Sequence, residues 1–216
     1  MLNTVLPKIH KEGYRFVAIA IIVTFVFLLI SKILGLIGIL LTVWVYYFFR
    51  DPDRVSIQDD NFLVSPADGL ISNIEEVDGP LELSLEDKKF TKVSIFMNVF
   101  NCHVNRSPVS ANVKEIFYKP GKFLNATLDK SSNENERNYY RLKTLDGGEE
   151  IIIVQIAGLI ARRIVCEVEE NRDVKQGERI GMIRFGSRVD IFFNNRKLLA
   201  KVGQNVVAGE SLIASK

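Results

Sequence analysis

The hydrophobic positions of this chain follow one pattern up to residue 50 and a different pattern after it. Residues 16–30 and 33–49 form two apolar runs without a charged residue, separated only by Ser31 and Lys32. As helices they would be about 22 and 25 Å long, a little shorter than a hydrocarbon core of about 30 Å. One continuous helix would place Lys32 in the middle of a bilayer, which is costly. The pattern therefore predicts a helical hairpin that turns at Ser31 and Lys32.

Basic residues at both ends of this hairpin predict its orientation. Lys8, Lys11 and Arg15 flank one end, and Arg50 and Arg54 flank the other. The positive-inside rule places both ends, and the domain that follows, on the cytoplasmic side of the cell membrane. Two arrangements stay open because each run is short: a hairpin that spans the bilayer, and a hairpin that dips into one leaflet.

From residue 51 onwards, short alternating apolar stretches are separated by Gly, Pro, Asn and Asp. This pattern of alternation and turn residues is typical of β-strands. It predicts strands at 69–77, 92–99, 111–118, 139–144, 150–156, 163–168, 180–185, 190–193 and 211–214. We therefore expect a membrane-anchoring hairpin at 1–50 and a mainly β domain, of sandwich or barrel type, at 51–216.

Two segments near the C-terminus repeat a short pattern. Residues 173–183 and 205–214 share a Val, then Gly-Glu, then an aliphatic residue, with Gly177 and Gly209 at equivalent places. The pattern is similar to the hairpins of lipoyl and biotin carrier domains. It supports a small β fold and leaves the chemistry open.

The composition limits which partners, sites and catalytic groups are expected. The 28 basic and 26 acidic residues nearly balance, so nucleic acid is not an expected partner. Cys102 and Cys166 form no CxxC motif, which argues against a disulfide framework or a metal site. Of the two histidines, His10 precedes the first apolar run. Any imidazole chemistry in the β domain must therefore use His103.

Three segments hold residues that could together activate a hydroxyl group. They are "SPADG" with Asp68, "FNCHVNRSP" with His103, and "RFGSRVD" with Ser187. In such a set the imidazole takes the serine proton and the carboxylate orients the ring. The sequence thus makes Ser187, His103 and Asp68 the candidate catalytic residues.

The surroundings of Ser187 indicate what it attacks. A hydrolase elbow, G-x-S-x-G, needs glycine two residues to either side, and Phe185 and Val189 stand there instead. Gly186 directly before the serine permits backbone geometries that other residues cannot adopt. Ser187 Oγ could then reach the carbonyl carbon of Gly186, which favours cleavage of the chain by itself.

The residues also bear on two other functions. A membrane-tethered carrier-like or adaptor domain without catalysis would need a modifiable lysine at a hairpin tip, and Lys197 in Asn-Arg-Lys does not match that tip. A hydrolase using Cys102 and His103 is disfavoured because adjacent residues of a strand point to opposite faces. The adaptor stays the alternative to an enzyme.

Six segments in order carry a resemblance to a known family. Together with "SPADG" and "RFGSRVD" they are "YFFRDPDR" (47–54), "NCHVNRSPV" (101–109), "FLNATLDKSSNENERN" (123–138) and "VQIAGLIARRIV" (154–165). Behind an apolar hairpin, this set resembles the short membrane-anchored form of phosphatidylserine decarboxylase, a pyruvoyl-dependent enzyme made as a self-cleaving proenzyme. The resemblance covers nearly the whole chain.

The resemblance implies a reaction and a processed enzyme. Cleavage between Gly186 and Ser187 would give a β chain, 1–186, and an α chain, 187–216, which stay together as a heterodimer. Ser187 would become a covalent pyruvoyl cofactor. The enzyme would be a carboxy-lyase of phospholipid biosynthesis that converts phosphatidylserine to phosphatidylethanolamine and CO₂ at the membrane.

The resemblance also implies roles for residues near the site, with one departure. Asp68 and His103 would form the base system for cleavage, and His103 would return a proton after CO₂ leaves. Longer members have two histidines three residues apart, whereas Arg106 holds the second position here. Either His103 serves both proton steps, or Arg106 stabilises an oxyanion or a phosphate. Asn105 and Arg106 are therefore candidate substrate contacts, while a higher oligomer and a lid at 123–138 stay open.

Overall fold

The chain divides into two compact units in its computed structural model, which describes residues 7–122, 134–146, 148–158, 163–184 and 187–216. The first unit runs from Met1 to Asp53 and the second from Arg54 to Lys216. The first is helical and the second is built of β-strands. The predicted fold class, mainly β with an N-terminal pair of helices, is confirmed. The likeness of its hairpins to carrier domains stays a prediction.

The first unit is a pair of helices, α1 (Tyr14–Ile30) and α2 (Lys32–Phe48). Between them Ser31 is extended, and its Oγ accepts the N–H of Ile33 at 3.3 Å, so α1 ends and α2 begins at this residue. The stretch from Lys11 to Ile30 is long and apolar enough to cross a membrane, whereas α2 is shorter.

Small residues let the two helices approach closely. A Cβ at Gly35 would lie 2.2 Å from a methyl of Leu28, and one at Gly38 would lie 2.9 Å from Thr24 Oγ1. The hydroxyls of Thr24 and Thr42 are 2.8 Å apart and hydrogen-bond across the pair. Gly and Thr at a helix interface are typical of packing in lipid, where close backbone approach replaces the hydrophobic effect.

The second unit contains fourteen strands within the described residues. They are β1 (Phe62–Val64), β2 (Gly69–Asp78), β3 (Lys89–Met97), β4 (Val104–Arg106), β5 (Ala111–Lys119), β6 (Arg137–Thr144), β7 (Glu150–Ala157), β8 (Arg163–Cys166), β9 (Asp173–Val174), β10 (Arg179–Arg184), β11 (Ser187–Phe193), β12 (Lys197–Leu198), β13 (Asn205–Val206) and β14 (Leu212–Ser215). The nine predicted strands all overlap one of these. The shortest strands had not been predicted, because two or three residues show no alternation.

Eight of these strands form one antiparallel sheet in the order β13-β2-β3-β11-β7-β6-β5-β9. Two three-stranded sheets, β1-β14-β12 and β4-β10-β8, accompany it. The order of strand lengths is the same from either edge of the large sheet. A two-residue strand is outermost, two long strands follow, and β11 and β7 lie at the centre. The central position of β11 means that neighbours on both sides hold it.

The repeated Gly-Glu pattern corresponds to two equivalent turns. Gly177 and Gly209 have φ of +79° and +77°, a conformation that favours glycine. The N–H of Gly209 donates to the Ser65 carbonyl, and the N–H of Gly177 donates to the Ser107 carbonyl, both at 2.8 Å. The two Cα atoms face each other closely, since a Cβ at Gly209 would lie 3.5 Å from Gly177 Cα.

The two faces of the large sheet bury separate apolar clusters. Val189, Ile191 and Phe193 of β11 belong to the larger core, whereas Phe192 packs on the other face. Because alternate residues point to opposite faces, Ser187 shares the larger core with Val189. The strand had been predicted to begin at residue 190, which was wrong by three residues, because polar side chains at its start masked the alternation.

Candidate active site

Ser187 is the first residue of β11 and is completely buried. It pairs with Met97 of β3 on one side and with Ala157 of β7 on the other. Its Oγ has no hydrogen-bond partner among the described residues. A buried hydroxyl without a partner is costly, and at Ser187 no bond to the described residues holds the Oγ away from the carbonyl that precedes it in the chain. Gly186, predicted to form the other half of the cleavage site, lies outside the described residues.

His103 is buried directly before β4. Its Nδ1 lies 3.0 Å from the carbonyl oxygen of Asn101. Since a carbonyl only accepts, Nδ1 carries the proton in the neutral ring and Nε2 is the basic nitrogen. The His103 carbonyl accepts the N–H of Ile183, near the end of the strand that leads to Ser187. His103 therefore lies beside the end of β10, the strand that precedes Ser187 in the chain.

A compact turn connects the strand beside Ser187 to His103. The N–H of Asn98 donates to Asn101 Oδ1 at 2.9 Å, and the N–H of Phe100 donates to Asn98 Oδ1 at 2.8 Å. These side-chain bonds hold the Asn101 carbonyl, which in turn sets the tautomer of His103. Sequence reasoning had not singled out either asparagine, although the spacing Asn-Val-Phe-Asn is a turn signal.

Asp68 precedes β2 at the same end of the large sheet. Its carboxylate accepts two contacts from Arg54 Nη2, at 2.9 and 3.2 Å, and one from the N–H of Ala208 at 2.8 Å. Only β3 lies between β2 and β11. The two strands are therefore two strand spacings apart, about 10 Å in total. Arg54 thus balances the charge of Asp68. The role of Asp68 in a base system with His103 stays a prediction.

Arg106 and Asn105, the candidate substrate contacts, are both buried on β4. Arg106 Nη1 donates to the Gly177 carbonyl at 2.8 Å, so it supports one of the two Gly-Glu turns. Asn105 Oδ1 accepts Gln155 Nε2 at 2.8 Å, and Asn105 Nδ2 donates to Met97 Sδ at 3.8 Å. Asn105 is therefore linked to a direct neighbour of Ser187. Substrate binding by either residue stays a prediction.

A buried polar cluster behind Asn105 had been missed. Gln155 Oε1 lies 2.9 Å from the Tyr140 hydroxyl and 3.3 Å from Asn138 Nδ2. Burial raises the pKa of Tyr140 well above its ordinary value, so the phenol keeps its proton. Gly181 admits the cluster, because a Cβ there would lie 2.8 Å from the Tyr140 hydroxyl. A glutamine inside the apolar run "EIIIVQIA" is the signal that could have indicated it.

The opposite face of β11 carries an ion pair instead of the serine. Arg188 and Asp190 meet through two contacts of 2.9 Å, and their side chains are only 6% and 4% exposed. They line a cavity of about 330 Å³ together with Lys92 and Tyr139. Burial raises the pKa of Tyr139 to about 12. Among the described residues, no three His, Cys, Asp or Glu side chains are grouped to hold a metal ion.

Comparison with known proteins identifies the family. Residues 41–214 match the family model described as phosphatidylserine decarboxylase. Over 216 residues the chain is 64% identical to a phosphatidylserine decarboxylase proenzyme of Pelagibacter ubique, with 100% of both chains covered. It is 50% identical over 215 residues to a protein of that name from Cereibacter sphaeroides, covering 99% of this chain and 92% of the other. The chain therefore belongs to the phosphatidylserine decarboxylase family, a family of decarboxylating enzymes.

Proposed function

We propose that this protein decarboxylates phosphatidylserine to phosphatidylethanolamine, using a pyruvoyl group that the chain makes from Ser187 by cutting itself after Gly186. Family membership supports the decarboxylation. The observation that carries the mechanism is the buried Ser187 Oγ, which has no partner among the described residues. Ser187 follows β10 in the chain, and His103 borders the end of β10.

The residues around position 187 fit a pyruvoyl group. Met97 and Ala157 on either side of Ser187 are apolar, so they exclude water from a carbonyl formed there. A pyruvoyl group supplies an electron-poor carbonyl that draws electrons from a bound amine as CO₂ leaves. His103 Nε2 is the basic nitrogen of the ring, so it takes the Ser187 Oγ proton before cleavage and holds a proton for the product afterwards.

Strand pairing supports the idea that 187–216 remains in place after the cut. β11 pairs along its length with β3 and β7, and β14 pairs with β1. None of these bonds depends on the peptide bond before Ser187. The two pieces would thus form a stable heterodimer.

The N-terminal helices support a membrane location for a lipid substrate. Ile22, Phe25, Leu29 and Ile30 of α1 are each more than 60% exposed. Side chains of this kind are stable in lipid and costly in water. With basic residues at both hairpin ends, the proposal places the β domain at the cytoplasmic face of the cell membrane.

Intact mass measurement of the purified protein tests the self-cleavage. The native chain should yield two fragments divided before Ser187, the smaller with a blocked N-terminus that reacts with hydrazine. Ser187→Ala should stay one chain without turnover. Ser94→Ala is the matched control, because Ser94 is also buried with an unpartnered hydroxyl in the described structure, yet pairs with Asp190 on the other face. It should be cleaved like the native chain.

Turnover of cleaved protein tests His103. His103→Gln should slow cleavage of the new chain, and the fraction that is cleaved should decarboxylate phosphatidylserine at least about 100-fold more slowly, the contribution typical of a general acid or base. An intact native chain without a reactive carbonyl would refute the pyruvoyl mechanism, and absence of decarboxylation as well would favour the adaptor role. Normal turnover by cleaved His103→Gln would remove His103 alone from the mechanism.

A further inference from the structure

Two buried amides connect the interior of the large sheet to the place where Ser187 lies. Gln155 of β7 donates from Nε2 to Asn105 Oδ1 at 2.8 Å, and Asn105 Nδ2 donates to Met97 Sδ at 3.8 Å. Both amide residues have no exposed surface. The three side chains thus link β7, β4 and β3 in one line of contacts.

This line of contacts crosses β11 at its first residues. Met97 pairs with Ser187 from one side, and Ala157 pairs with it from the other. Gln155 is two residues before Ala157, so its side chain leaves the same face of the sheet. Because the Asn105 amide touches Met97 at one end and Gln155 at the other, it spans the start of β11 on the face where Ser187 points.

The orientation of the two amides is determined by their partners. Gln155 Oε1 receives Asn138 Nδ2 and lies beside the Tyr140 hydroxyl, so the Gln155 NH₂ group faces Asn105. Asn105 must then accept with its oxygen and present its own NH₂ group toward Met97 and Ser187. A primary amide has two N–H groups. One is directed at a weak thioether acceptor, and the other has no acceptor among the described residues.

We propose that Asn105 donates a hydrogen bond to the oxyanion that forms when Ser187 Oγ attacks the carbonyl before it, and that Gln155 is the positioning residue for Asn105. The inference rests on the proposed self-cleavage. A buried N–H without an acceptor destabilises the resting chain. The same N–H stabilises the transition state if negative charge develops beside it. Asn105 thereby gains a role in making the enzyme, beyond contact with its substrate.

Cleavage begins when Ser187 Oγ attacks the carbonyl carbon before it. The Oγ–C bond forms, the carbonyl electron pair moves to oxygen, and the Oγ proton passes to His103 Nε2. The oxyanion then restores the carbonyl as the C–N bond breaks, and the nitrogen takes the proton, which leaves an ester. His103 Nε2 takes the Ser187 Cα proton as the Cβ–Oγ bond breaks, which releases the Gly186 carboxylate and leaves an enamine. The enamine takes a proton at Cβ and becomes an imine. Water then replaces the nitrogen, which leaves as ammonia. Asn105 acts on the oxyanion of the first step.

A time course of cleavage in newly synthesised full-length chain tests Asn105. Asn105→Ala should slow cleavage about 100-fold, the usual effect of losing one oxyanion donor. Asn112→Ala is the matched control, because Asn112 is on β5, three strands from β11, and bonds to Asp173. It should cleave at the native rate. Circular dichroism of each variant verifies folding.

Gln155→Glu tests the positioning role. The new carboxyl group can still accept from Asn138 and Tyr140. Burial raises the pKa of such a group, so cleavage is followed up to about pH 9, where the ionised carboxylate cannot donate to Asn105 and Asn105 turns its NH₂ group away from Ser187. Cleavage should slow at least about 10-fold, a part of the loss expected for a removed donor. Asn105→Ala combined with Gln155→Glu should cleave no more slowly than Asn105→Ala alone. A purely structural role for Gln155 would instead make the two losses multiply.

The outcomes separate this inference from the proposed function. A native chain that is never cut refutes both. A native chain that is cut, with Asn105→Ala folded and cut equally fast, refutes only the oxyanion donor. A folded Gln155→Glu that is cut at the native rate, or multiplying losses in the double variant, overturns the positioning role of Gln155.

Discussion

The turns at Gly177 and Gly209 are built alike but would lie in different chains after cleavage. Each glycine has a positive φ, and each donates its N–H to a serine carbonyl. The Gly177 carbonyl accepts from Arg106, whereas the Gly209 carbonyl accepts from Ser56 Oγ at 2.6 Å. The turn that would belong to 187–216 is thus bound by Ser56, whereas the Gly177 turn is bound by Arg106 and, through Gln176, by Gln58 and Asp59.

The Gly209 turn also has contacts that the Gly177 turn does not share. Ala208 donates to Asp68, which is bound by Arg54, and Glu210 Oε1 accepts the N–H of Val55 at 3.2 Å. A segment that loses its covalent connection must be held by contacts alone. The difference between the turns indicates that residues 54–56 and Asp68 secure the smaller chain.

Removing Arg54 should have the largest effect. Arg54→Ala leaves the Asp68 carboxylate without its cation, and breaking a buried pair costs about 3–5 kcal/mol. The pair is partly exposed, at 17% and 10%, so we expect about 3 kcal/mol in urea denaturation. The matched control, Arg172→Ala, breaks the more exposed pair with Glu178 beside the Gly177 turn and should cost under about 1 kcal/mol. Equal losses would contradict the comparison.

The second-largest loss of stability should come from replacing the glycine of each turn with alanine. A left-handed backbone costs an alanine about 1–2 kcal/mol. A Cβ at Gly177 would also lie 1.7 Å from Ser56 Oγ, whereas one at Gly209 has nothing nearer than 3.1 Å. Gly177→Ala should therefore lower the melting temperature more than Gly209→Ala. The reverse order would show that the turns are not packed as described.

Ser56 provides a smaller test of the same packing. Ser56→Ala removes the bond to the Gly209 carbonyl and should cost about 1 kcal/mol in the native chain. In the Gly177→Ala background it also removes the obstructing oxygen, so its cost there should shrink. A double-mutant cycle measured by urea denaturation checks this, and additive effects would count against it.

The smallest effect should come from an exposed contact across the proposed cut. Asp146 accepts from Lys216 Nζ at 2.7 Å, from Thr144 Oγ1, and from the N–H of Gly148 at 3.1 Å. The Lys216 contact first, and the other two after it, hold the pKa of Asp146 below its ordinary value.

The sign of the pH dependence follows from that direction. The stabilisation is present above the unfolded pKa of about 3.9 and is lost as pH falls through the lower folded value. Asp146→Asn should therefore lower the melting temperature slightly at pH 7 and progressively less below about pH 4. An undiminished difference in strongly acidic buffer would exclude this origin.

Much of the fold could be predicted because its signals are local. The charge-free runs with Ser31 between them predicted the two helices, and alternation predicted every strand longer than four residues. The start of β11 was misplaced because Ser187, Arg188 and Asp190 look polar in sequence. In the fold, the charges of Arg188 and Asp190 neutralise each other, which allows burial of a strand with two charges.

Less of the candidate site could be predicted, since partners come from distant segments. Ser187 and His103 were singled out by residue type, and Asp68 by its place in a turn. Nothing in the sequence indicated that Arg54 would bind Asp68 or that Gln155 would bind Asn105, 50 residues away.

The sequence by itself determined which segments are helix or strand, which faces are apolar, and which side chains can carry chemistry, because these depend on residue type and spacing. Only the tertiary structure decided which strands flank Ser187, which carbonyl sets the tautomer of His103, and which amide reaches toward the serine. The alternation of side chains along a strand assigns each side chain to one face of the sheet, but the order of the strands determines its neighbours on that face. That order minimises the free energy of the whole sheet.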